Sequence, residues 1–162
     1  TRSFDDVINF FTWLNLNKHE FNKKIITRIE REELKDVEDE YLSKIKNDKS
    51  LKVVSGFLDR ESLAIELLEI DILILPFKIV MSELPVVALE ALELGIPIIT
   101  TEDSGIKEIT KGQKNILVLK DFKINKFDRV MKFIKEVKND DFNNIRNNIE
   151  AINNIFLHNF NK

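Results

Sequence analysis

Asp71-Ile-Leu-Ile-Leu-Pro-Phe-Lys-Ile-Val-Met-Ser-Glu-Leu-Pro-Val-Val-Ala-Leu-Glu-Ala-Leu-Glu-Leu-Gly-Ile-Pro-Ile-Ile-Thr-Thr101 is the stretch that decides the fold. Ile72 to Pro76 is apolar at every position, as expected of a parallel strand covered on both faces. A loop follows, and then a helix over 85–94. Pro85 suits its first position, where the missing N–H costs nothing, and Gly95 suits the position just past its end. Pro97 to Thr101 is a second apolar strand. A loop feeding a helix N-terminus at the carboxyl end of a buried parallel strand is where open α/β sheets bind phosphorylated ligands.

The same alternation extends in both directions. Ser3 is placed to cap a helix whose Phe4, Val7, Ile8, Phe11 and Leu14 recur at helical spacing. Lys24 to Ile29 and Lys52 to Phe57 are expected strands. A charged helix lies between them over 32–45, and a helix capped by Asp59 follows to about Glu69. Beyond Thr101 come a short helix at 106–111, a strand at 115–120 and two amphipathic C-terminal helices within 123–162. The first of these is marked by Phe127, Val130, Met131, Ile134 and Val137, and the second by Phe142, Ile145, Ile149, Ile152 and Phe156. Strands alternating with helices, with no linker or repeat, specify an α/β chain with a doubly wound, Rossmann-like parallel sheet of about five strands.

Composition narrows the function classes. The 162 residues suit one domain with its own core. A net charge of −3 recommends no nucleic-acid partner. There is no cysteine, so disulfides and thiolate metal sites are excluded. His19 and His158 lie far apart in sequence and are read as structural, and no metal site is expected. No apolar run reaches the length of a membrane span, so no integral membrane segment is expected. Thr1 in place of an initiator Met suggests a processed or truncated chain.

Glu90 is the unusual residue of the 85–94 helix, surrounded by Val86, Val87, Ala88, Leu89, Ala91, Leu92 and Leu94. A carboxylate in so apolar a segment must be wet, paired or bound to a ligand. Glu93, three residues on, allows a narrow solvent stripe; a binding role is the alternative. Leu84, preceding proline, is the expected N-cap, which leaves the amides of Leu84, Val86 and Val87 to meet an anion.

Residues 71–118 resemble the donor-binding half of the group 1, GT-B, retaining glycosyltransferases, which use nucleotide sugars. Pro85-Val-Val-Ala-Leu-Glu90-Ala91 matches the family's proline, spacer and Glu-Ala. Gly95-Ile-Pro97-Ile-Ile-Thr-Thr101 resembles its Gly-Lys-Pro-Val-Val-Ala-Thr. Ser104-Gly105-Ile-Lys-Glu108-Ile resembles Gly-Gly-Ile-Pro-Glu-Ile, and Gly112 with Asn115-Ile-Leu-Val118 parallels the closing Gly-x-x-Gly-Leu-Leu-Val. Gly56-Phe57 and Asp71 also fall at family positions. The likeness runs in register from Arg2 to about Phe122 and is dense from Asp71 onward.

The resemblance implies a single donor-binding domain over 1–162, the C-terminal half of a GT-B enzyme of hexosyltransferase type. Glu90 would accept hydrogen bonds from the donor ribose. Ser82, Glu83, Leu84, Pro85 and Val86 would hold the sugar and diphosphate, and Lys78 or Arg28 would reach a phosphate. The family's other glutamate, seven residues before the Glu90 equivalent, falls on Ser82, with Glu83 beside it; either stands in its place. The implied donor is a nucleotide diphosphate sugar, with no metal or other cofactor. The acceptor, a glycan or a lipid-linked molecule, would be held by an N-terminal domain not in this chain, and the location would be cytoplasmic, peripheral at the membrane through that domain.

Two departures count against turnover by the chain alone. Thr27-Arg-Ile-Glu30 replaces the family's Gly-Asp-Gly, and the family's first, central strand has no counterpart. The isolated chain is therefore expected to be inactive. The alternative is a non-catalytic GT-B-like module with an assembly or regulatory role. A receiver-type domain needs a cluster of strand-end aspartates with a facing lysine, a constellation this sequence does not provide.

Overall fold

A computed structural model describes residues 4–27, 40, 43, 45, 47–77, 85–102 and 113–139. Among them the order is α1 (Phe4–Leu16), β1 (Lys23–Thr27), β2 (Leu51–Ser55), α2 (Arg60–Leu68), β3 (Leu73–Leu75), α3 (Val86–Glu93), β4 (Ile98–Thr101), β5 (Ile116–Leu119), a 3-10 turn (Ile124–Lys126) and α4 (Phe127–Asn139). Of the helix expected over 32–45, Glu40 and Ser43 are helical and Ile45 is buried, and its other residues lie outside the described ones, as do the helices expected over 106–111 and 142–156, the Ser3 cap and His158.

Every strand pairing is parallel. β1 pairs with β2, with Ile25 opposite Val53, and β3, β4 and β5 form a second sheet in that order. Within these ladders β1 bonds only to β2 and β3 only to β4. Among the described residues the five expected strands therefore fall into two sheets.

Helices cover both faces, and the alternation of side chains along each strand sorts the core in two. Ile99 of β4 and Leu117 and Leu119 of β5 share one apolar cluster with Ile25 of β1, Ile8, Phe10, Phe11 and Leu14 of α1, and the apolar face of α4. Ile98 joins the opposite cluster with Leu67 of α2, Ala88 and Ala91 of α3, and Leu73 and Leu75 of β3. Phe10 and Phe127 anchor the first layer, 4.9 Å apart edge to face. Truncating either ring would cost about 3–5 kcal/mol.

β3 departs from expectation. Its three residues are half-buried, whereas β4 is buried throughout. Among the described residues β4 has a neighbour on each side and β3 has one, so its apolar sequence is not matched by cover on every flank. β2 also ends earlier than its sequence suggests. Gly56 takes φ +103° directly after Ser55, a conformation that side-chain-bearing residues rarely adopt.

A polar knot closes the amino ends of β1 and β2. Asp48 accepts from Lys23 Nζ at 3.0 Å, Asn15 Nδ2 at 2.9 Å, Ser50 N at 3.0 Å and Ser50 Oγ at 2.5 Å. Lys23 Nζ also donates to Ser50 Oγ at 2.6 Å. Burial alone would raise the Asp48 carboxyl, but donors from Ser50, Asn15 and Lys23 outweigh it and hold the group far below the usual range. Further along β1, Lys24 Nζ reaches Glu66 of α2 and Glu69 at its C-cap, each at 2.6 Å, fastening strand to helix. The His19 ring lies 5.4 Å from that of Trp13.

Candidate functional site

At the opposite end, β2 runs into α2 through a short turn. After Gly56, Phe57 stands largely exposed. Asp59 then caps α2, accepting from Ser62 N at 2.8 Å, and this places Arg60 at the first helical position. One strand further, the end of β3 is clamped by a side chain. Thr101 Oγ1 accepts from Phe77 N at 3.0 Å and donates to Phe77 O at 2.6 Å. Thr100 Oγ1 likewise donates to Leu75 O at 2.9 Å. These bonds fix where the chain leaves β3 for the segment that precedes α3.

α3 begins one residue later than its sequence suggests. Pro85, with ψ 120°, is itself the N-cap and Val86 the first helical residue. The reason is local: extended Pro85 turns its carbonyl to accept from Ala88 N at 3.0 Å, so the cap is made by backbone. Val86 and Val87 then supply the first two helical amides, which have no intrahelical acceptor, at the end where the dipole concentrates about half a positive charge. At the other end Gly95, φ +69°, closes a Schellman motif, with Gly95 N on Leu92 O and Ile96 N on Ala91 O.

Glu90 lies one turn inside α3. Its side chain is only 13% exposed, and its Oε1 is 3.5 Å from Nε of Arg60, whose side chain is 49% exposed. Glu93, its neighbour on the helix, is exposed. Burial pushes the Glu90 carboxyl above its ordinary range, the Arg60 charge opposes that rise, and Glu93 adds to it. Two helices from adjacent β-α units thus bring an acid and a base together at the carboxyl ends of β2 and β3.

Of the residues singled out from sequence, Val86 and Glu90 lie on α3 and Pro85 is its N-cap. Arg28, Lys78, Ser82, Glu83 and Leu84 lie outside the described residues. Arg60 escaped sequence reasoning. Its signal was the Asp59 cap, which sets residue 60 at a helix start directly after a strand. Among the described residues no three His, Asp or Glu gather to ligate a metal ion, and no helix is long and apolar enough to cross a membrane.

Parallel strands wound on both faces by helices define a Rossmann-like α/β domain. The family model described as "Glycosyl transferases group 1" matches residues 32–151, most of the chain. The chain belongs to that family, and glycosyl transfer between a sugar donor and an acceptor is the activity the family implies. Comparison with curated proteins gives no match.

Proposed function

We propose that this chain is the donor side of a retaining, hexosyltransferase-type enzyme and binds a nucleotide diphosphate sugar at the N-terminus of α3. The observation that carries the reading is Glu90, an acid kept 13% exposed in an apolar helix and turned toward α2. Its oxygens accept from the vicinal ribose hydroxyls of the donor. The amides of Val86 and Val87 meet the diphosphate. As the sugar–phosphate bond breaks, negative charge grows on the departing diphosphate, and fixed N–H dipoles stabilise it at little reorganisation cost.

Ser82, Glu83, Leu84 and Pro85 belong to the same site as contacts for sugar and diphosphate, with Lys78 and Arg28 as additional phosphate ligands. A metal ion or other cofactor is not required by this arrangement. A separate N-terminal domain holds the glycan or lipid-linked acceptor, and the enzyme draws on the cytoplasmic nucleotide-sugar pool.

Titration of UDP, GDP and ADP sugars into the full-length protein and its Glu90→Ala form tests the reading. One of the three donors is expected to bind, and the variant to bind it at least about tenfold more weakly, the scale of hydrogen bonds to a charged group. Equal affinity in both forms removes Glu90 from the site. Sugar transfer by the intact protein excludes the non-catalytic alternative.

A further inference from the structure

We propose that Arg60 is a positioning residue for Glu90, reaching from the first turn of α2 to the carboxylate on α3 and keeping it charged and turned for the donor ribose. The inference rests on the reading of Glu90 as the ribose acceptor. An arginine at the first helical position faces the positive end of its own helix dipole, an unfavourable place for a cation. The Glu90 carboxylate, 3.5 Å away, offsets that cost. That separation marks an ion pair and not a short hydrogen bond, so Arg60 acts mainly through charge.

Among the described residues, the charged groups that bear on Glu90 are Arg60 from α2 and Glu93 from α3 itself. They oppose one another, and burial sides with Glu93. Without Arg60 nothing among these groups resists protonation, and a protonated carboxyl no longer accepts from two hydroxyls at once. Nucleotide affinity should therefore fall on the acid side, and it should fall at a higher pH when Arg60 is neutralised.

The experiment compares the full-length protein with Arg60→Met, Arg60→Lys and Glu90→Gln. Carbon NMR of the Glu90 carboxyl follows its titration in the free protein, and calorimetry with UDP, GDP and ADP follows affinity against pH. In Arg60→Met the Glu90 titration moves to higher pH, and affinity at neutral pH falls about two- to fivefold, the range of a half-exposed ion pair. That deficit widens as pH falls, and Arg60→Lys recovers most of both effects. An unmoved Glu90 titration in Arg60→Met overturns the proposal, and so does equal displacement by Met and Lys. Unchanged nucleotide affinity in Arg60→Met overturns it while leaving the Glu90 reading intact, provided Glu90→Gln is weakened. Unchanged affinity in Glu90→Gln removes the donor reading itself, and the positioning role with it.

Discussion

Asp48 and Glu90 are acids of nearly equal exposure, 10% and 13% of their side chains, at opposite ends of the strands. Their carboxyls are driven in opposite directions, Asp48 down and Glu90 up. Burial acts on both alike, so the difference lies in the donors. Asp48 has four hydrogen bonds from Lys23, Asn15 and Ser50, whereas among the described residues Glu90 has one guanidinium at 3.5 Å. A buried acid saturated with internal donors is a structural fastening. One held beside a helix N-terminus with a single distant cation keeps acceptor capacity for something else.

The largest test of this contrast removes the fastening. Asp48→Ala strands the Lys23 ammonium, itself 3% exposed, and should cost about 3 kcal/mol in urea denaturation. Because the folded carboxyl lies below the unfolded one, its contribution is complete above the ordinary aspartate value of 3.8. It is lost as pH falls below that value, so wild type and variant converge in acid. Next comes Thr101→Val, which leaves the N–H and C=O of Phe77 without the hydroxyl that serves both. A loss of about 2 kcal/mol is expected, with faster amide exchange at Phe77.

Glu90→Gln should behave oppositely. Its folded carboxyl is raised, so the ionised form costs stability at neutral pH, and that cost disappears below the unfolded value near 4.5. The variant is expected within about 1 kcal/mol of wild type, on the stabilising side at neutral pH, with the difference closing in acid. A loss as large as that of Asp48→Ala would make Glu90 a second fastening and dissolve the comparison. The smallest effect belongs to the exposed i,i+4 pair Lys132–Glu136, where Glu136→Ala should change stability by less than about 0.5 kcal/mol.

Much of the fold was legible because apolar period and turn chemistry agree. Asp59 caps α2, Gly95 ends α3, and Phe127 to Val137 form the buried stripe of α4. Boundaries slipped where backbone outweighed side chains. Pro85 is compatible with either of two helical positions, and Gly56 cuts β2 short through its φ. The exposure of β3 was invisible for another reason: an all-apolar strand has one sequence signature whether one or two neighbours flank it. Within the site, Glu90 stood out as a carboxylate among aliphatic residues. Arg60 did not, because its pairing depends on two β-α units meeting in space, 30 positions apart in the chain.

The central claim is that Glu90 reads the ribose of a nucleotide donor. A double-mutant cycle tests it most directly, pairing Glu90→Gln with the 2′,3′-dideoxy form of whichever nucleoside diphosphate wild type binds. Removing the hydroxyls should weaken wild type about tenfold or more and the variant hardly at all, since their partner is already gone. Equal losses in both proteins would show that the hydroxyls and Glu90 act independently, and would contradict the account.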